Sequence, residues 1–522
     1  MPSMEPLAQL SWNLPSLPAL EEAADALRKQ YTLSELPAQT TQRTFVDSFD
    51  WRLYQQNRLC FFEDKNLFLI DFSNRVRATP LPIEGHLQRF WQQLPLSPIR
   101  EALADILEMR AFLPQAECIE TSRELRVLNK EEKIVARLFL LEIDSGVGSS
   151  IYSIQLHEVR GYQKWFFKIN NTLEKFGKPQ PCTTKHLLQT LLAHRERVPL
   201  DYSSKLTVKL KPNMAAQSAV KQIYRYLLTT MQQNEHGILT DIDSEFLHDF
   251  RVAIRRTRSG LALIKGVLET EINTRFKEKF RYLGKITSPV RDLDVYLLME
   301  EDYKTRLPGL MQEGLQYFFE DLAVKRAKEQ RKLVKKLTSS KYQAIIQEWQ
   351  GYLEEQEQQR KTKGEKGQAI GPMADEIIKK RLRRLLTDGQ AIQADSADEE
   401  LHELRIEGKK LRYALEFFHS LYPSQEIKQL LKQLKLLQNN LGLFNDLSVQ
   451  QEMLSQYLTT LNPGSVRAKK MSAAIGGLLT NLHHEQQQVR LEFAQCFKEF
   501  SSKKNLALHR RLFQLSPWNK KK

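Results

Sequence analysis

Leu247-His248-Asp249-Phe250-Arg251-Val252 is repeated 154 residues later as Leu401-His402-Glu403-Leu404-Arg405-Ile406. The same offset carries Arg255-Arg256 onto Lys409-Lys410, Arg258 onto Arg412, Asp292 onto Asp446, Leu293 onto Leu447 and Val295 onto Val449. One offset that holds at separated places marks the duplication of a multi-helix unit. In the first copy, Leu247, Phe250, Ile254, Leu261, Ile264 and Leu268 recur at helical spacing. They predict a helix over 244–268 with Ser244 as N-cap and Glu245 and Asp249 complementing the dipole in its first turn. His248, Arg251, Arg255 and Arg258 follow one another at spacings of three, four and three, a second stripe beside the apolar one. The second copy repeats the wheel, with His402, Arg405, Lys409 and Arg412 beside Leu401, Leu404, Leu411, Leu415 and Phe418. Arg256 falls off the stripe and is expected to face solvent.

Like charges at three-and-four spacing repel by a few tenths of a kcal/mol per pair. Two such rows therefore call for something negative. One source is internal: Asp292, Asp294 and Asp446 on the following helices could pair with the rows and hold the bundle together. The other is an anionic ligand. His248 and His402 fit either a ligand contact or a packed, hydrogen-bonded role. Further cations, Lys221, Arg225, Lys379, Arg381 and Arg383, are expected to extend a groove. The run Lys325-Arg326, Lys328, Arg331-Lys332 and Lys335-Lys336 reads as a solvated helix face.

The duplicated Leu-His-x-x-Arg-(Val/Ile)-x-x-(Arg/Lys)-(Arg/Lys)-x-Arg, each copy followed by Asp-Leu-x-Val, resembles the CHAD domain, the conserved-histidine α-helical domain. Pro289-Val290-Arg291-Asp292-Leu293-Asp294-Val295 and Leu441-Gly442-Leu443-Phe444-Asn445-Asp446-Leu447 match as well. The resemblance covers about residues 215–515. It implies an all-α fold of two helical bundles related by pseudo-two-fold symmetry, with a basic cavity between them. It also implies binding of long-chain inorganic polyphosphate and association with polyphosphate granules. Arg forks and Lys ammonium groups suit phosphate oxygens, and a flexible phosphate thread offers nothing else to read.

Charge distribution agrees with a local anionic partner. The net charge is +15, yet residues 1–200 hold 24 Lys+Arg against 24 Asp+Glu, which leaves 54 and 39 in the rest. The whole surplus lies in the half that carries the repeat. The length suggests about three domain-sized units. No run of about 18 apolar residues is present, so no membrane span is expected. Met1-Pro2-Ser3-Met4-Glu5 lacks a basic stretch followed by an apolar one and is not expected to open a signal peptide. Cys60, Cys118, Cys182 and Cys496 lack any C-x-x-C pairing and read as thiols of a reducing compartment, in keeping with a cytoplasmic protein.

The neutral half has an α+β pattern. Strand-like, aromatic segments surround Glu63-Asp64-Lys65 over 45–72, and Arg123–Leu128 with Lys133–Ile143 form a second hairpin. Residues 84–109 read as helical with a break at Pro95 and Pro98, Tyr152–Glu158 as a strand, and 183–197 as a helix. The order of segments over about 5–200 resembles the CYTH-like domain, the family of triphosphate-processing β-tunnel enzymes. Phe45-Val46-Asp47-Ser48 with Arg52-Leu53, Arg110-Ala111-Phe112-Leu113-Pro114, and the hairpin Arg126-Val127-Leu128-Asn129 to Lys133-Ile134-Val135-Ala136-Arg137 carry it. Active members open with a Glu-x-Glu-x-Lys strand for a divalent metal and phosphates; here Ala8-Gln9-Leu10-Ser11-Trp12-Asn13-Leu14 stands in its place. Where the family alternates Arg on a strand, this chain has Leu59-Cys60-Phe61-Phe62. Phosphoryl chemistry needs carboxylates for the metal and cations for the phosphates. The resemblance thus implies a degenerate tunnel that does not catalyse.

The expected organisation is a CYTH-like domain over 1–205 and a CHAD domain over 213–515, its halves at about 213–353 and 372–515 joined by a polar linker at 354–371. Pro199–Pro212 is expected to bridge the two domains and to close the first as a strand. The expected function is polyphosphate binding by His248, Arg251, Arg255, Arg258, His402, Arg405, Lys409 and Arg412, extended by Lys221, Arg225 and Arg381. No cofactor or metal is expected, since the two His lack companion ligands. Two other readings stay open: a triphosphate or polyphosphate hydrolase in the N-terminal tunnel, and a non-specific nucleic-acid binder.

Overall fold

The computed structural model describes residues 8–513 apart from 74, 75, 77, 84–88, 149, 182, 355–367 and 463. The chain divides into two compact units, Met1–Ser203 and Ser204–Lys522.

The first unit is an antiparallel sheet with helices on its faces. Its strands are β1 (Gln9–Leu14), β2 (Thr32–Glu35), β3 (Gln39–Asp47), β4 (Arg58–Glu63), β5 (Asn66–Asp71), β6 (Leu81–Pro82), β7 (Leu113–Leu128), β8 (Ile134–Asp144), β9 (Ser150–Glu158) and β10 (Gln180–Pro181). They run in the order β10-β1-β9-β8-β7-β3-β4-β5-β6, with β2 also paired to β7. The helices are α1 (Leu17–Gln30), α2 (Arg52–Gln55), α3 (Pro98–Leu107), α4 (Gln163–Leu173) and α5 (Thr184–Ala193). Alternation along the strands decides which helix covers which face. Leu125, Val127, Leu138 and Leu140 point to α1 and α4, where Leu20, Leu27, Phe166 and Ile169 meet them. Cys118, Leu141 and Ile143 point the other way, onto Leu188, Leu191 and Leu192 of α5.

Two details depart from the sequence reading. Trp51–Tyr54, read as strand-like, opens a helical turn. The buried Asp47 carboxylate accepts from the backbone N–H of Ser48 (2.7 Å), Leu53 (3.0 Å) and Tyr54 (2.9 Å) and so fixes that turn. Of the helix read over 84–109, only Pro98–Leu107 is α-helical, capped by Ser97; its residues 84–88 lie outside the described ones.

The second unit is helical among its described residues. It runs α6 (Ala216–Leu239), α7 (Ser244–Leu263), α8 (Thr270–Leu297), α9 (Glu300–Thr305), α10 (Gln312–Leu337), α11 (Ser340–Glu354), α12 (Ile370–Ala391), α13 (Asp398–Phe418), α14 (Ser424–Leu458), α15 (Val466–Phe500) and α16 (Lys503–Phe513). The repeat offset places α6 with α12, α7 with α13 and α8 with α14. Helices of one half that reach the other meet their counterparts: α7 packs on α13, α6 on α12 and α10 on α15. A short antiparallel bridge marks the pseudo-dyad. Ala215 pairs with Ala369, its own partner at the offset of 154. The two bonds that make the bridge are themselves related by the symmetry, Ala216 N–H to the Gln368 carbonyl (3.0 Å) and Ile370 N–H to the Met214 carbonyl (2.9 Å). Self-complementary contact of this kind is what a two-fold relation requires.

The helix predicted over 244–268 ends at Leu263, and its N-cap is Asp243, not Ser244. The Asp243 carboxylate accepts from Glu245 N–H (2.9 Å) and Phe246 N–H (3.2 Å). Among residues 199–212, expected to close the first domain as a strand, no strand pairing forms. Leu206 and Leu210 are buried instead, and Leu210 N–H donates to Ser420 Oγ (3.0 Å). In the polar linker expected at 354–371, residues 355–367 lie outside the described ones.

Candidate functional site

The dyad brings the two cationic rows together. Where α7 crosses α13, a cleft of 700 Å³ opens, walled by α7 and α8 from the first half and α12 and α13 from the second. Arg255 and Arg258 enter from α7, Lys277 and Arg281 from α8, Arg381 and Arg384 from α12, and Lys409 and Lys410 from α13; Lys265 closes one end. Glu278 is the one carboxylate on the lining. Ala262, Leu263, Ile406 and Tyr413 supply the apolar wall between the cations.

Ion pairs divide these cations into two groups. Arg381 pairs with Glu407 (3.2 Å), as does Lys410 (2.6 Å), and Arg384 with Asp388 (3.3 Å). Arg255, Arg258, Lys265, Lys277, Arg281 and Lys409 form no ion pair among the described residues. Two of them, Lys409 and Arg258, have lowered proton affinities, from burial first and then from neighbouring cations. Burial, then the neighbouring Arg405 and Arg255, pull the Lys409 ammonium down to about 8, only partly opposed by Asp446. Burial and Arg281 lower Arg258. Exposed and half-buried cations crowded on one cleft, with Glu278 as the one carboxylate on the lining, are in a configuration that an incoming polyanion relieves.

Residues 222–455 match the CHAD domain family. The chain carries a CHAD domain. No curated protein shows significant similarity to the sequence. Among solved structures, the CHAD domain from the plant Ricinus communis is 23% identical, with 57% of this chain and 96% of that chain covered at a TM-score of 0.46. A putative adenylyl cyclase from Hippeastrum described as having a dominant triphosphatase activity is 15% identical (37% of this chain, 99% of that chain, TM-score 0.25). A putative adenylate cyclase from Bacillus halodurans is 14% identical (35% and 96%, TM-score 0.24).

The predicted site residues of the CHAD domain do not all reach the cleft. Arg255, Arg258, Lys409 and Arg381 line it. Arg251 lies behind Arg255 and is turned to α8, where its Nη1 donates to the Gly284 carbonyl (3.1 Å), Thr287 Oγ1 (2.9 Å) and Ser288 Oγ (3.1 Å). Burial lowers it to about 10 against the pull of Asp292. Arg405 pairs with Asp446 (3.2 Å) and Arg412 with Glu416 (2.6 Å). The internal pairing considered for the rows is thus real for Arg405 and absent for Arg255 and Arg258. Asp294 serves another residue, Arg326 (2.8 Å). His402 Nδ1 lies 2.5 Å from Asn445 Oδ1, which joins α13 to α14; neither His402 nor His248 lines the cleft.

Three expectations are corrected by the packing. Lys221 and Arg225 turn to the C-terminal end of α11: Lys221 Nζ donates to the Tyr352 carbonyl (2.8 Å) and Arg225 Nε to the Leu353 carbonyl (3.0 Å). Cations there satisfy the last helical carbonyls and complement the dipole. Lys379 and Arg383 face α16 in a separate hollow with Leu506 and Phe513. Arg256 is not solvated. It bridges the halves through Glu416 (3.1 Å) and donates to the Ser204 carbonyl (2.6 Å).

Lys265, Lys277, Arg281, Arg384 and Lys410 were not among the predicted site residues. The duplication gave no signal for most of them. The offset carries Lys277 onto Leu431, and the counterparts of Arg381 and Arg384 are Leu227 and Thr230. Arg281 does have a cationic counterpart, Lys435, whereas Lys277, Arg381 and Arg384 have none.

Arg251→Ala is therefore expected to lower stability. It removes charge-assisted bonds between α7 and α8, a loss of about 1.5–3 kcal/mol. Urea unfolding followed by circular dichroism measures it, and an unchanged midpoint would show that the three α8 acceptors contribute nothing.

Proposed function

We propose that the CHAD domain of this protein binds inorganic polyphosphate in the cleft between its two halves, and through it associates with polyphosphate granules. One observation carries the reading: six unpaired cations, drawn from both repeats, converge on a single cleft. A linear phosphate chain supplies closely spaced negative charge with no bulky side groups, and the open cleft accepts a thread that enters and leaves. Guanidinium forks at Arg255, Arg258 and Arg281 can take two phosphate oxygens each, while Lys409 acts as a point charge.

Titration with long-chain polyphosphate against single-stranded DNA of equal charge, at about 150 mM salt, tests it. The expected result is tight polyphosphate binding and much weaker DNA binding, because bases cannot follow the phosphates into the cleft. Equal affinity for both would mean a general cationic surface and overturn the proposal. The salt dependence should be steep. Six neutralised cations at about 0.7 counterions each give a slope of about −4 in a plot of log K against log salt. A slope near −1 would show that most of the cleft makes no contact.

In the first unit, no group of three or more His, Cys, Asp or Glu that could hold a metal ion occurs among the described residues. Among the described residues, no helix is long and apolar enough to cross a membrane.

A further inference from the structure

The first unit holds a smaller cavity that polyphosphate binding does not use. It has a volume of 190 Å³ and lies on the sheet face covered by α5. One wall is a polar strip set by strand register: Ser11 of β1 stands opposite Gln155 of β9, and Asn13 opposite Ser153. Residues two apart on a strand share a face, so all four point the same way. Ile143, Ile151 and Leu187 form an apolar side, and the first turn of α5, from Thr183 to His186, closes the cavity.

Two of these hydroxyls are unusual. Ser153 is 4% exposed and Ser11 8%, both line the cavity, and neither side chain has a hydrogen-bond partner among the described residues. Buried hydroxyls are ordinarily bonded, and a pair left open toward one space points to an occupant that bonds them. The cavity is small for a ligand site, so the occupant is small.

Charge excludes most anions. Arg43 is the one Lys or Arg on the lining, and its guanidinium is engaged by Glu63 (2.7 Å from Nε) and lies 3.8 Å from Glu120. Lys185, in the first turn of α5, lies over the Phe72 ring at 4.1 Å instead of the cavity. An entering phosphate would meet Glu120 and no cation that is not already paired. Mixed hydroxyl and amide groups facing an apolar wall suit alternating O–H and C–H surface.

We propose that this cavity binds a small, uncharged, hydroxyl-rich molecule, a polyol or monosaccharide, through Ser11, Asn13, Ser153 and Gln155. The proposal is independent of polyphosphate binding in the second unit. It is tested on the full chain by saturation-transfer NMR with glycerol, myo-inositol and D-glucose in turn, with tripolyphosphate as competitor. At least one of the three should receive saturation, and tripolyphosphate should not displace it. Ser153→Val removes a hydroxyl and fills space; Gln155→Leu, at a half-buried position, removes an amide with little threat to folding. Each should weaken binding about tenfold and leave the polyphosphate titration unchanged. No transfer from any of the three probes would mean that water alone fills the cavity. Retention of binding in Gln155→Leu, or displacement by tripolyphosphate, would equally overturn the proposal.

Discussion

Replacing Arg255, Arg258, Arg281 and Lys409 together by Ala is expected to abolish polyphosphate binding without lowering the melting temperature. Each charge-assisted contact to phosphate contributes on the order of 1.5 kcal/mol or more. Four of them correspond to an affinity loss of about four orders of magnitude. The stability half of the prediction is the sharper one. These side chains form no ion pairs among the described residues; burial and Arg281 hold Arg258 below its ordinary proton affinity, and burial, Arg405 and Arg255 do the same to Lys409. Their removal relieves repulsion, so the fold should keep its stability or gain some. Arg251→Ala should do the reverse and destabilise the helix pair, with a smaller effect on binding. Isothermal titration and differential scanning calorimetry on both variants separate the two roles. Polyphosphate binding retained by the fourfold variant would sink the assignment of the cleft.

Polyphosphate affinity should fall as pH rises above about 8, and Lys409→Arg should remove most of that dependence. In the folded chain the Lys409 ammonium sits at about 8, against 10.5 ordinarily. A bound polyanion favours the charged form and moves it back up. Affinity is therefore complete below about pH 8 and declines through the interval up to the bound value, by at most about tenfold per pH unit for one proton. Binding near pH 8.5 takes up protons, which calorimetry detects as a heat that varies with the ionisation enthalpy of the buffer. Stability runs the opposite way. Between about 8 and 10.5 the unfolded chain binds more protons at this position than the folded one, so the contribution of Lys409 to stability rises with pH there. Arg keeps its charge across the whole range, so the variant should bind with little slope. A flat profile in the unmodified protein would show that Lys409 does not face the ligand.

The cleft has a structural cost that the rest of the bundle offsets. Arg256 with Glu416 joins the halves, Arg405 with Asp446 anchors α13 to α14, and the Ala215–Ala369 bridge sits on the dyad. These contacts join the halves and their helices. Strain of this kind is a familiar feature of binding sites, which exchange local stability for a prepared electrostatic field.

By itself the sequence determined the two-part organisation, the antiparallel hairpins of the first unit and the duplicated helices of the second. These follow from local rules, period two on strands and three-and-four on helices, and from an offset of 154 that recurs at distant places. It also marked Arg255, Arg258, Arg381 and Lys409 as candidate contacts, which the fold then placed on the cleft. Only the tertiary structure decided which cations stay unpaired. Arg251 and Arg255 are one helical turn apart on the same stripe, yet one is taken by hydroxyls of α8 and the other opens into the cleft. Lys221 and Arg225 looked equivalent to Arg381 in the sequence, but helix ends that needed cations took them. Lys277 carries no repeat signal and entered the site because α8 packs along α7. The physical reason is common to all of these. A helix fixes the direction in which a side chain leaves it, while the partner that side chain finds depends on which other helix the packing brings there.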